Sequence, residues 1–383
     1  MYQAWLDFAV TKMEKAADRI KDNIPYQSYD GKYRFMNRVP GEEPLWSIGY
    51  ELMHHERIES WTNGFWGGIL WLLYDKTGKD CYRQYAEGLE RRLDPVLDGF
   101  VHISHDAGFM WMHTSGANYN RTGCEDAKLR ILKSASHLAG RFNPTGNFIR
   151  AQTNPERVGW TIIDCMMNLP LLYTASKLTG DPRFANVAIA HADTMLRDTV
   201  RPDGSCFHIV TYDPVTGART GEMEGQGYSK DSAWSRGMGW AIYGFALSAM
   251  YTGDAKYTDA AERCAKFFMS HLPPDGTPRA DLLAPLDDPD CHIDSSAASI
   301  AAAGLVVLSK FTGNNKYRED AIKLLHDIQA TCVADETEEA LLLHGNVGYH
   351  RPISKDIPLI YGDFFYLEAL CMLDGADTLF KEN

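Results

Sequence analysis

Two aspartates stand where carboxylates need a reason. Asp164 lies in TIIDCMMNLPLL, flanked by Ile162, Ile163, Cys165, Met166 and Met167. A carboxylate in such surroundings must be buried, capped or functional, and desolvation raises its pKa. Asp106 follows His105 in HDAGFMW. If the two face each other, like-charge repulsion pushes one of them further toward its protonated form, the usual preparation for acid–base work. Asp106, Asp294 and Asp363 each also suit a helix N-cap, and capping is the favoured reading for the last two. Other constellations point elsewhere less firmly. Met53-His54-His55-Glu56 and the His102/His105 spacing resemble metal ligands, but no H-E-x-x-H or third-ligand pattern accompanies them. Neither a phosphate-cradling loop nor a G-x-S-x-G elbow occurs. The expectation is a site without metal or cofactor. Arg150 and Arg157, among Pro, Asn and Gly, belong to a rim loop.

The elements that must position these groups are written in a repeat. Thr-Gly followed four residues later by an aromatic occurs at Thr77-Gly78 with Tyr82, Thr179-Gly180 with Phe184, Thr252-Gly253 with Tyr257, and Thr312-Gly313 with Tyr317. Thr122-Gly123 is a weaker copy with Ala127 at the aromatic position. Glycine ends a helix in the left-handed conformation at little cost. Before each turn lies a helix apolar nearly all round, such as GWAIYGFALSAMY; after it comes a striped one. In the second copy Phe184, Val187, Ala188, His191, Ala192, Met195 and Leu196 form the stripe. With GFMWMH and FFYLEALCML there are six inner-type segments. The prediction is all-α, an (α/α)6 barrel of six helical hairpins, with residues 1–383 as one catalytic domain and no major sheet. An open helical array is the alternative. Pro170 kinks the third inner segment or marks a late start.

Polar and aromatic residues gather where these inner segments begin: Trp61, Asn63 and Trp66; His105 and Asp106; Asp164; Trp234, Arg236 and Trp240; Asp294; Asp363. In a closed barrel all six starts share one mouth. An aromatic-lined mouth with carboxylates suits a carbohydrate.

A net charge of -13 without a basic run argues against nucleic acid. The eight cysteines form no C-x-x-C pair and read as free thiols. The N-terminus lacks a signal-peptide apolar core, and no apolar run reaches a membrane span. The expected location is cytoplasmic, or periplasmic had a leader been cleaved, with no membrane partner.

The pieces WTNGFWGGILWLLY, HDAGFMW, IIDCMMNLPLL, WSRGMGWAIYGFAL, DSSAASI and YGDFFYLEAL, in that order from about Trp61 to Leu370, resemble the unsaturated glucuronyl hydrolases, glycoside hydrolase family 88. The resemblance implies an (α/α)6 barrel. It also implies an unsaturated uronic-acid oligosaccharide, such as a disaccharide, as substrate. Asp164 matches the family's general acid and base, and Asp106 its partner. Trp61, Trp234 and Trp240 match sugar platforms. His105, His191, His208, Gln226 and Arg236 match polar positions near the substrate, with Arg236 the bidentate partner for a uronate carboxylate; His191 also reads as a core histidine. Some relatives carry tryptophan where Gln152 falls, and Trp160 is the substitute expected here. Ser354 and Lys355 lie in a segment that in some relatives contacts a sulfate. Alternatives are an unsaturated rhamnogalacturonyl hydrolase acting on pectin fragments, a sugar 2-epimerase using paired histidines, and a non-catalytic glycan-binding barrel.

Overall fold

The computed structural model describes residues 2–42, 45, 56–100 and 102–381. The chain opens with α1 (Tyr2–Ile20) and a hairpin of β1 (Pro25–Tyr29) and β2 (Lys32–Phe35). A 3-10 turn at Trp61–Gly64 enters the inner helix α2 (Phe65–Thr77), backed by α3 (Asp80–Arg92) and the short α4 (Asp94–Gly99). The second inner run is α5 (Ala107–Trp111), a π turn at Met112–Gly116 and α6 (Ala117–Thr122), backed by α7 (Glu125–Ala139). A small hairpin, β3 (Phe142–Asn143) with β4 (Phe148–Ile149), precedes β5 (Trp160–Ile162). The third inner run is a 3-10 segment, Ile163–Asn168, continuing into α8 (Leu169–Thr179), with α9 (Arg183–Asp198) outside. After β6 (Ile209–Tyr212) and β7 (Arg219–Met223) come three long inner helices. These are α10 (Ser235–Thr252) backed by α11 (Ala255–Ser270), α12 (Ser295–Thr312) backed by α13 (Asn315–Thr331), and α14 (Ile360–Leu373).

The repeated turn is one device used five times, the Thr122-Gly123 copy included. Gly78, Gly123, Gly180, Gly253 and Gly313 all sit at left-handed φ of 67 to 73°. The threonine explains itself too. Each Thr hydroxyl donates to the carbonyl four residues back and accepts the backbone N–H two residues on, as Thr77 does with Leu73 (2.7 Å) and Lys79 (3.2 Å). The same pair of bonds recurs at Thr122, Thr179, Thr252 and Thr312. The aromatic then anchors the outgoing helix to its neighbour: Tyr257 Oη donates to Asp193 on α9 (2.7 Å) and Tyr82 Oη to Glu14 on α1 (2.8 Å).

The ring closes where α14 packs on α2, and its outer partner is α1. The sixth hairpin is therefore assembled from the two ends of the sequence rather than from consecutive helices. Lys12 of α1 donates to the carbonyls of Ala334 and Asp335, and Arg19 pairs with Glu339. One apolar core runs from Leu6 to Phe380. The helix α12, long and apolar enough to cross a bilayer, is part of that barrel wall and largely buried.

One expectation changes, and two become specific. Pro170 lies in the first turn of α8, so the late start replaces the kink; Pro lacks only an N–H that a first turn leaves unused. The sheets among the described residues are small and antiparallel, the widest being the three-stranded β5-β6-β7. Asp363 lies inside α14, not at its cap. Its carboxyl accepts from the N–H groups of Leu341 (2.7 Å) and Leu342 (2.9 Å) and from the Tyr33 hydroxyl, pinning the chain before α14. Asp294 does cap α12, through Ser296 N and Ala297 N.

Candidate active site

Asp106 occupies the cap position of α5 but spends no side-chain bond on capping. Its Oδ2 accepts from Ser104 Oγ (3.1 Å), and its Oδ1 from Asn168 Nδ2 (3.3 Å). It also lines a cavity of about 360 Å³ with Arg57, Ser60, Trp61, His102 and Thr153. A larger groove of about 1010 Å³ lies on the outer surface near Phe100, Leu129 and Phe142 and contains neither aspartate. The smaller cavity, with the carboxylate in its wall, is the candidate site.

Asp164 sits in the 3-10 segment that bridges β5 and α8. Its Oδ2 is buried without a hydrogen-bond partner. Burial, then the nearby negative charge of Asp106, pushes its pKa up to about 7; Arg236 opposes the shift. A carboxyl poised there can give up a proton and take one back near neutrality. The segment reaches this position because neighbouring glycines let it in. A Cβ on Gly108 would fall 2.5 Å from Asn168 Cα, and one on Gly244 2.4 Å from Met166 Cβ. We expect Gly108→Ala to displace the segment carrying Asp164, lowering kcat at least about tenfold and stability by roughly 1–3 kcal/mol. Steady-state kinetics and thermal unfolding check this, and an unchanged kcat would refute it.

Three histidines, His105, His191 and His208, cluster behind the pair. Burial lowers the pKa of each, to about 3 for His191 and His208. All three are neutral near pH 7 and cannot supply the acid. His208 Nδ1 accepts the backbone N–H of Gln226 (2.9 Å), so its proton is on Nε2, 3.6 Å from Asp164 Oδ2. His191 Nδ1 accepts Ile149 N–H (3.0 Å), and the ring is fully buried on α9. His191 thus stands behind the site rather than in the cavity, and its core reading is the better one. His105 Nε2 lies 3.5 Å from Asp106 Oδ2.

The aromatic and basic residues divide. Trp61, half-buried, rests against Tyr361 (5.0 Å), Phe109 and Phe65 and keeps a face toward the cavity wall. Trp160, half-buried on β5, carries the Arg157 guanidinium 4.5 Å from its ring. Trp240 is no platform: it is fully buried between Phe109 and Phe365. Its indole N–H lies close enough to favour the charged form of Asp164, without making a hydrogen bond of normal geometry. Trp234 is also buried, with the His208 ring tilted against it (4.2 Å) and the Arg236 guanidinium over its face (4.6 Å). Arg236 has both terminal nitrogens engaged by the protein, while its Nε is buried without a partner. Nη1 donates to Asn346 O and faces Asp294, and Nη2 donates to Val347 O (2.9 Å). Gln226 Nε2 donates to the same Val347 carbonyl. Both residues tie the chain after α13 to the mouth. Ser354, at a φ of 63°, is buried, and its carbonyl accepts Val347 N–H. Lys355 Nζ pairs with Asp290 (2.6 Å). Trp66 turns away from the mouth and donates to Lys21 O. The Met53-His54-His55 part of the metal-like motif lies outside the described residues.

Sequence reading missed Asn168, which touches both aspartates' segments, and Arg141, whose guanidinium donates to the carbonyls of Ile103, Arg150, Ala151 and Gln152 and so holds the loops flanking Asp106. A signal for Asn168 was its place four residues after Asp164 in an apolar run.

The model of Glycosyl Hydrolase Family 88 matches residues 32–354. The chain belongs to this family. An unsaturated glucuronyl hydrolase of Bacillus sp. (strain GL1) is 36% identical over 329 residues, covering 83% of this chain and 87% of the relative. Among solved structures, the unsaturated glucuronyl hydrolase of Bacillus sp. GL1, responsible for the degradation of glycosaminoglycan, superposes with a TM-score of 0.88 at 30% identity. All of both chains is covered. A variant of the Streptococcus agalactiae unsaturated glucuronyl hydrolase complexed with dGlcA-GalNAc6S gives 0.80 at 26% identity, covering 98% of this chain and 93% of that one. These family 88 structures agree with the (α/α)6 barrel built from the Thr-Gly turns.

Proposed function

We propose that this family 88 glycoside hydrolase removes an unsaturated glucuronic acid from the non-reducing end of lyase-generated glycosaminoglycan-type oligosaccharides. The observation that carries the reading is Asp164, one carboxyl oxygen buried without a partner and its pKa raised to about 7 beside Asp106. The sugar's C4=C5 bond is an enol ether. Protonated Asp164 gives its proton to C4, and positive charge develops over C5 and the ring oxygen. Asp106, charged, stabilises that cation. The Asp164 carboxylate then takes a proton from a water as the water's oxygen bonds to C5. The resulting hemiketal opens by breaking the bond from C5 to the ring oxygen, leaving a ketone at C5 and a hemiacetal at C1. Collapse of the hemiacetal releases the second sugar, one water having been added. Separation rules for ordinary two-carboxylate glycosidases do not govern this route. His208 Nε2–H steadies the Asp164 carboxylate once it is charged, and Trp61 and Trp160 supply apolar faces for the sugars.

The test is a panel of unsaturated disaccharides, glucuronyl and rhamnogalacturonyl, followed by loss of the ring's ultraviolet absorbance. Bleaching restricted to the rhamnose-linked substrates would overturn the glucuronyl assignment, and no bleaching at all would overturn hydrolysis.

Lys355 and Ser354 are proposed to lie beside the second sugar, where a sulfate would have to draw the Lys355 ammonium from Asp290. Lys355→Ala is expected to raise KM for a 6-sulfated chondroitin disaccharide about tenfold, consistent with loss of one charge-assisted contact. The unsulfated analogue should be unaffected, and equal changes on both would remove Lys355 from sulfate recognition. A cytoplasmic location is proposed as well, supported by eight free thiols, among them Cys206 and Cys264, whose sulfurs lie 3.7 Å apart at hydrogen-bond rather than disulfide distance.

A further inference from the structure

Asn168 is fully buried, and every part of its amide is committed. Its Oδ1 accepts the backbone N–H of Phe109 (2.8 Å), one of the first-turn donors of α5 that has no partner within the helix. That bond fixes which end of the amide is nitrogen. Nδ2 then donates to two acceptors: the backbone carbonyl of Asp164 (3.2 Å) and Oδ1 of Asp106 (3.3 Å). One side chain thus spans the two segments that carry the aspartates, holding one by its main chain and the other by its carboxylate. The fit leaves no slack, because Asn168 Cα, O and Oδ1 fill the space where a Cβ of residue 108 would stand.

The chemistry of the two carboxyls differs along the same line. Asp106 receives neutral donors on both oxygens, from Asn168 and Ser104. Asp164 Oδ2 receives none. We propose that Asn168 is a positioning residue for the reaction: its amide fixes the Asp106 carboxylate against the segment that carries Asp164. The proposal rests on the acid–base reading of the two aspartates. It assigns the division of labour between them to a third side chain that itself touches no substrate.

The test compares Asn168→Ala in the wild-type and Asp106→Asn backgrounds, with kcat and KM measured across pH. Both backgrounds lose the bond to Phe109 N–H equally, so the comparison isolates what passes through Asp106. The expected result in the wild-type background is a fall in kcat of about 10²-fold with KM within about threefold. The basic limb of kcat/KM should move downward, because an Asp106 carboxylate no longer held in place raises the Asp164 pKa less. In the Asp106→Asn background the same substitution should cost less than about threefold. Equal losses in both backgrounds, or an unmoved basic limb, would overturn the proposal and leave Asn168 a packing residue. Should Asn168→Ala not fold, Asn168→Ser, whose hydroxyl can still accept from Phe109 N–H, carries the same comparison. An inactive wild-type enzyme would instead refute the hydrolase reading, so the two failures are distinguishable.

Discussion

Asp164→Asn is expected to lower kcat by about four orders of magnitude while KM stays within a few-fold of wild type. The amide fills the same space but cannot deliver a proton to carbon or accept one from water. Both halves of the proposed reaction stop, whereas the contacts that hold the sugar remain. Near-normal turnover would remove Asp164 from the mechanism. The same substitution should change stability with a definite sign. A carboxyl whose pKa in the folded protein, about 7, exceeds its unfolded value binds its proton more tightly when folded. Its contribution to stability is therefore present at low pH and is lost as pH rises toward 7. Above that, the native state carries a buried charge with an unpartnered oxygen. The Asn variant should accordingly melt a few degrees higher than wild type at about pH 8. No such gain is expected at about pH 4. A variant that is inactive and also destabilised at the higher pH would mean that the Asp164 charge is better solvated than its burial implies.

Asp106→Asn should be nearly as damaging, by about 10²- to 10³-fold in kcat, and it should also move the pH profile. In wild type, kcat/KM should fall above about pH 7 as Asp164 loses its proton. Burial is the first cause of that raised value and survives the substitution; the charge of Asp106 is the second and does not. Removing it leaves Arg236 less opposed, so Asp164 gives up its proton at lower pH and the basic limb shifts down by roughly a unit. A profile measured from about pH 5 to pH 9 decides the matter. An unmoved basic limb, with activity lost, would mean that Asp106 acts on the substrate alone and not through its neighbour.

The sequence made the barrel legible because its periodicity is local. A left-handed glycine, a threonine bonded on both sides and an aromatic four residues on are read from a handful of positions. Inner helices are apolar on every face because every face is covered. What was hidden depends on pairings between distant positions. Nothing in MYQAWLDFAV states that α1 backs α14. Nothing in Trp160–Ile162 states that it pairs with a strand near residue 210. Asp164 could be found because isoleucine and methionine on both sides leave a carboxylate few excuses. Arg236 could be placed at the mouth but not given its partners, since the carbonyls of Asn346 and Val347 lie 110 residues on in an aperiodic stretch. The tautomer of His208 depends on one backbone N–H from another loop, which no residue type announces.

Because α1 backs α14 and α14 meets α2, the circle is joined between its earliest and latest members. A chain emerging in order makes five neighbourly pairs as it goes, but the apolar flank of α2 must wait for about 300 further residues before its second neighbour exists. The final joint closes the longest loop in the molecule, and the entropy of that closure rises only logarithmically with length. Seam formation is thus slow to arrive but inexpensive once reached. An N-terminally shortened chain lacking α1 would leave the flank of α14 bare, inviting a second copy to lend its own first helix in exchange.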